Sequence, residues 1–208
     1  GYLLEIGVRS ANSKRFNQDD DNGEGATALD LRHSAWYIDS KKLGRVWVGL
    51  TGGAAEGVTE VNQAATKDVA KYSDVEDSGL GLNMRVNGGF VESSSAGNPA
   101  NISWRRLIRG GGDQPGEGRR HNLVRYDTPE IAGFTATASW GEDDNWDAGL
   151  RYKGELGDFK VAAAIAYGET SDASGETGFQ CGLGNSPTRD ADCEQLGGSV
   201  SIMHAPTG

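Results

Sequence analysis

No apolar run in this chain is long enough to cross a membrane as a helix. The longest, Val161 to Tyr167, has seven residues, against the roughly 18 that a helical span needs. Positive charge is scarce too: 20 Lys and Arg stand against 30 Asp and Glu, for a net charge of −10. Such a balance repels phosphate backbones, so no nucleic-acid partner is expected. Cysteine is limited to Cys181 and Cys193, in a segment rich in Gly, Asn, Asp and Ser. With no CxxC spacing and no nearby His, zinc is not expected. A disulfide closing a loop in an oxidising compartment is the expectation, with two reduced thiols as the alternative. Catalytic signatures are missing as well. There is no HExxH, GxSxG, P-loop or dinucleotide fingerprint, and His33, His121 and His204 stand singly. No enzyme, no cofactor and no metal centre is expected. The acidic run Asp19-Asp20-Asp21-Asn22-Gly23 lacks the spacing of an EF-hand and is read as a solvated loop.

What is abundant is glycine, 32 residues, in a chain only 36% hydrophobic with a mean hydropathy of −0.54. These values exclude a helical membrane protein but not a stranded one. A barrel strand shows lipid only every second residue, so its hydropathy is diluted by the half that faces water. A secreted β-sandwich would have a similar composition. The chain opens on Gly-Tyr-Leu-Leu-Glu, without initiator Met or signal sequence, and stops at His-Ala-Pro-Thr-Gly within a strand pattern. A fragment of a longer barrel, read as a single domain over residues 1–208, is the expectation.

Period-2 alternation runs along most of the chain. Strands are predicted over Tyr2–Arg9, Leu31–Ile38, Arg45–Leu50, His121–Asp127, Phe134–Trp140, Trp146–Lys153, Phe159–Tyr167 and Gly198–His204. Tight turns over Asp39–Gly44, Thr128–Gly133 and Gly154–Asp158 join neighbours as hairpins. About seventy residues, Thr51 to Arg120, carry little strand pattern. A loop of that length is usually functional. Val58 to Tyr72 has spacing suited to a helical turn or two.

The apolar face decides between barrel and sandwich. One side of three successive strands reads Phe134, Ala136, Ala138, Trp140; then Trp146, Ala148, Leu150, Tyr152; then Phe159, Val161, Ala163, Ile165, Tyr167. Rings sit at both ends and small or aliphatic residues between them. Trp and Tyr favour the two interfaces of a bilayer, whereas a sandwich core puts its large rings mid-strand.

At these residues the chain resembles a known family. Asn122-x-x-x-Tyr126-Asp127-x-Pro129, running into Gly133-Phe134, resembles the pattern of bacterial outer-membrane porins, nearest to the alphaproteobacterial general porins. Trp146-Asp-Ala-Gly-Leu-Arg-Tyr152 and Phe159 to Tyr167 resemble the next two strands, and Gly44 to Leu50 is similar to the strand that enters an inward-folded loop. The resemblance implies an all-β, antiparallel transmembrane barrel of roughly sixteen strands, of which this chain supplies about eight, assembled as a homotrimer in outer-membrane lipid. It implies passive diffusion of ions and small hydrophilic solutes, with a substrate-specific channel as the alternative. Residues 51–120 would hold the constriction loop, with Glu56, Glu60, Asp68, Asp74, Glu76 and Asp77 as its carboxylates. The alternation puts Arg9, Arg45, Arg125, Arg151, Lys153 and Lys160 on the pore wall, with Glu5, Asp127 and Asp147 as acidic exceptions. Carboxylates facing a basic wall set up a transverse field, and the negative net charge points to a mild cation preference.

Overall fold

A computed structural model describes residues 1–9, 28–63, 82–91, 116–118, 120–142, 144–170 and 193–207. Ten strands are present among them: β1 (Tyr2–Arg9), β2 (Ala28–Ser40), β3 (Gly44–Gly52), β4 (Arg85–Val86), β5 (Gly89–Phe90), β6 (Arg120–Asp127), β7 (Phe134–Gly141), β8 (Trp146–Leu156), β9 (Phe159–Thr170) and β10 (Cys193–His204). No helix occurs among the described residues. Eight of the strands form one sheet in the order β1-β2-β3-β6-β7-β8-β9-β10, and every neighbouring pair is antiparallel. All eight strands expected from alternation are therefore present, most of them extended by a few residues.

The register explains why the alternation over Leu31–Ile38 is less clean than that of the other strands. Glu5 pairs with His33 but Ile6 pairs with Leu31, so Arg32 is an extra residue in β2. This bulge shifts the phase of the pattern by one. With Arg32 taken out, Leu31, Ser34, Trp36 and Ile38 share one face and His33, Ala35, Tyr37 and Asp39 the other.

Two faces of opposite character result. On the outer face Ile6, Trp36, Val48, Val124, Trp140, Leu150, Ile165, Val200 and Ile202 are all exposed. No second sheet covers them among the described residues: Phe134, Leu150 and Ile165 keep 46%, 43% and 53% of their surface. A sandwich would have buried these three, so that alternative fails. The rings fall in two rows. Phe134 packs on Tyr152 at 4.7 Å and Phe159 on His204 at 5.0 Å, at the end with the short turns. Trp146 packs on Tyr167 at 5.6 Å at the other end, where Trp140 pairs with Trp146 across the strands.

The turns sort the same way. The β2–β3, β6–β7 and β8–β9 connections are short and lie at one end. The four-residue β7–β8 link, Glu142–Asn145, lies at the opposite end, from which the chain also leaves β1, β3 and β9. Within the region expected to carry little pattern, β4 and β5 form a small hairpin. Its turn is Asn87-Gly88, both at positive φ (52° and 84°), the dipeptide that a two-residue hairpin turn favours. That signal is plain in the sequence, although no strand was expected there. The helical turn over Val58 to Tyr72 is not seen where the chain is described: single turns run from Gly53 to Glu60, closed by Glu56 N–H to Gly53 O, Val58 N–H to Ala55 O and Glu60 N–H to Gly57 O. Residues 64–72 lie outside the described residues.

If the outer face meets hydrocarbon, a charge at its middle is expensive. Ile165→Arg is expected to destabilise the folded protein by about 2–4 kcal/mol. Lys153→Ala, on the exposed opposite face, is expected to stay within about 0.5 kcal/mol. Denaturant titration in lipid bilayers measures both; equal costs would remove the distinction between the faces.

Candidate functional site

At Gly52 the chain leaves β3, turns toward the inner face of the sheet and runs across it. Residues 53–63 lie on strands far ahead in sequence. Arg125 on β6 donates from Nη1 to Gly52 O at 3.1 Å and Gly53 O at 3.4 Å. Asp147 on β8 accepts from the Ala55 N–H at 2.8 Å and from the Ser139 hydroxyl. Arg151, also on β8, donates from Nη2 to Ala54 O at 2.9 Å and Glu56 O at 2.5 Å. Further along, Ser199 on β10 donates to Val58 O at 2.7 Å and accepts from Val61 N–H at 3.2 Å. Ser201 accepts from Gln63 N–H at 2.9 Å. Glu117, buried, accepts from both the N–H and the hydroxyl of Thr59 at 2.9 and 2.6 Å.

These contacts answer a physical requirement. A buried loop carries backbone donors and acceptors that must be paired, because an unpaired buried polar group costs on the order of 1–3 kcal/mol. The polar inner face of the sheet supplies the partners that a regular ladder would otherwise give. Small residues let the loop lie flat: Ala55 and Val58 pack on Ala164 and Ala166 of β9. At Gly149 a Cβ would sit 3.0 Å from Ala54 O and 3.2 Å from the Ala166 Cβ. The buried apolar cluster of this sheet is therefore the seam beneath the loop, and it consists of alanines and valines.

A second set of polar side chains lies beside the loop. Glu56 Oε1 is 2.8 Å from Arg120 Nε, with both side chains about a quarter exposed. Arg120 Nε also reaches His33 Nε2 at 3.1 Å, and His33 Nδ1 meets the Thr51 hydroxyl at 3.1 Å. Glu5 pairs with Arg32, the bulge residue, at 2.5 Å and lies 3.8 Å from His33. Charges from β1, β2, β6 and the loop thus alternate in sign around one part of the inner face. Toward the short-turn end, Arg45 pairs with Asp39 at 3.1 Å and stands over the rings of Tyr37 and Trp47 at 5.1 and 5.3 Å. Trp47 Nε1 donates to Asp127 Oδ2 at 3.0 Å, whose other oxygen accepts from Arg125 at 2.8 Å and Thr137 at 2.9 Å.

Of the residues singled out in the sequence, Glu56, Arg125 and Arg151 come together at the loop. Glu60 is half-buried in the same segment. Arg45 stands apart near the turn end, and Lys153 and Lys160 lie toward that end on the adjacent strands β8 and β9. Arg9 falls on β1, its side chain outside the described residues. Asp68, Asp74, Glu76, Asp77 and Cys181 lie outside them as well; Cys193 begins β10, but its side chain does not belong to the described part. Arg125 and Arg151, expected on a wall, hold the loop's carbonyls. Asp147, expected only as an acidic exception, is its buried counterpart. Sequence reasoning missed Gly149, Ser199 and Ser201 as loop partners and Ser139 as a donor to Asp147. The alternation puts all four on the face that also carries Arg151, but it does not show that a loop lies there.

A sheet that turns its apolar side outward and folds a loop against its polar side has the inside-out polarity of a stranded membrane channel. A family model described as Gram-negative porin matches residues 4–203. No curated protein and no solved structure gives a significant match. The chain belongs to the Gram-negative porin family. It is accordingly an outer-membrane protein of a non-enzymatic family whose members form diffusion channels.

The alanine seam gives a direct check. Ala166→Leu adds bulk between β9 and the loop and is expected to destabilise the protein by about 1–3 kcal/mol. Amide exchange at residues 55–59 should rise while the strand amides stay protected. Unchanged exchange would mean that the loop does not rest on this strand.

Proposed function

We propose that the sheet is about half of a closed barrel of roughly sixteen strands, that three copies assemble, and that each barrel passes ions and small hydrophilic solutes passively with a mild cation preference. The observation that carries the reading is the loop of residues 53–63 laid across the polar face of a sheet whose other face is apolar. Closure is supported by the edges. In a bilayer an open sheet edge leaves backbone groups unpaired in hydrocarbon, so spanning sheets close on themselves. The trimer rests on the resemblance carried by Asn122 to Phe134 and by Trp146 to Tyr167.

In this reading residues 51–120 narrow the pore, and solutes are sorted there by size and charge. Glu56 and Glu60 supply carboxylates at the described part of the loop; Asp68, Asp74, Glu76 and Asp77 extend it. Opposite them stand the basic wall residues. Arg125 and Arg151 are drawn into the loop's carbonyls and into Asp127, which leaves less uncompensated positive charge facing the path. Together with the net charge of −10, this supports a preference for cations. Cys181 and Cys193 close a disulfide loop outside the constriction.

Reversal potentials test the reading. With the whole purified protein in planar bilayers across a potassium chloride gradient, the sign should correspond to cation preference. Glu56→Gln should weaken that preference without abolishing conductance. A clear anion preference of the unmodified protein would overturn it.

A further inference from the structure

We infer that Asp147, Gly149 and Arg151 form a seat on β8 that fixes the inward loop and thereby sets the open cross-section of the channel. The inference rests on the channel reading and adds to it three positioning residues.

The three residues alternate along one strand, so all face inward. All three meet the tripeptide Ala54-Ala55-Glu56. The Asp147 carboxylate takes the central N–H at 2.8 Å. The Arg151 guanidinium, from a single nitrogen, takes the flanking carbonyls at 2.9 and 2.5 Å. Between them Gly149 leaves the gap into which Ala54 O descends, where a Cβ would meet that oxygen at 3.0 Å.

Donor, acceptor and gap thus match the polarity of one turn of backbone, Gly53 to Glu56, which the Glu56 N–H to Gly53 O bond closes. The grip is made by charged side chains, where a strand ladder would use main-chain groups. Charge-assisted hydrogen bonds are shorter and about twice as strong as neutral ones. Both groups are shielded from water: Asp147 is fully buried, and Arg151 is largely covered.

The seat also acts at the right place. Glu56, whose side chain reaches across to Arg120 at 2.8 Å, follows directly on Ala55. Whatever holds Ala54 to Glu56 against β8 therefore fixes how far the Glu56 carboxylate projects from the wall. The remaining loop contacts lie to either side of the tripeptide: Arg125 holds Gly52 O and Gly53 O before it, and Glu117, Ser199 and Ser201 hold residues 58–63 beyond it.

Three variants of the whole protein, each purified as a folded barrel, separate the possibilities. Asp147→Ala removes the acceptor. The amide of Ala55 should then exchange about 10- to 100-fold faster, with β8 and β9 still protected, and single-channel records should show flickering between conductance levels. Asp147→Asn keeps an oxygen for the same N–H and should recover most of the steady level. Gly149→Ala keeps every hydrogen-bonding group and fills only the gap. It should give one steady but smaller conductance, because the loop is lifted from the wall into the lumen, and it provides the test if Asp147→Ala does not fold. If the unmodified protein does not conduct, the channel reading fails. If it conducts while Asp147→Ala or Gly149→Ala keeps its conductance level and noise, the seat proposal fails, whether or not Ala55 exchange has changed.

Discussion

Hydrocarbon offers no hydrogen bonds, and nearly every feature of this sheet answers to that fact. Backbone groups that span a bilayer must pair with one another. Each strand therefore has an antiparallel neighbour, and the apolar side chains turn outward instead of into a core. The polar side chains displaced inward are then free to do what a soluble interior forbids. They bind a loop through its main chain. Arg125, Asp147, Arg151, Ser199 and Ser201 all make such contacts. A soluble sheet of this size would put leucines and valines at those positions.

The same constraint explains why the composition is so uninformative. Half of each strand is chosen for lipid and half for water, and the mean hydropathy averages the two to −0.54. Only the alternation carries the signal. It was readable in β7, β8 and β9, where Phe134, Leu150 and Ile165 share the outer face, and blurred in β2. There the extra residue Arg32 shifts the phase, which a strict period of two cannot accommodate. The β4–β5 hairpin is not legible from alternation because two-residue strands are too short to alternate, although Asn87-Gly88 marks its turn.

The site was less legible than the fold for a different reason. Alternation assigns a residue to a face but does not say what lies against it. The alternation assigns Arg125 and Arg151 to one face of the sheet, yet their hydrogen bonds to Gly52, Ala54 and Glu56 depend on where a loop lies that begins roughly 70 to 100 residues earlier. Asp147 and Gly149 look unremarkable in isolation, one as a stray acid and the other as one glycine among 32. They become meaningful once the tripeptide beneath which they sit is known. The family match then agrees with the polarity of the sheet rather than substituting for it.

The route of the loop also constrains the order in which the protein can assemble. Its anchors on the sheet join residues 72 to 141 positions apart in the chain: Gly53 with Arg125, Val58 with Ser199. Contacts so distant form late, because the intervening chain must first be ordered. The segment after β3 is made early and has no surface to rest on until β8, β9 and β10 have been laid beside one another. The strands must come first and the loop second, so a chain lacking β8 to β10 would leave the segment after β3 without the partners of its main chain.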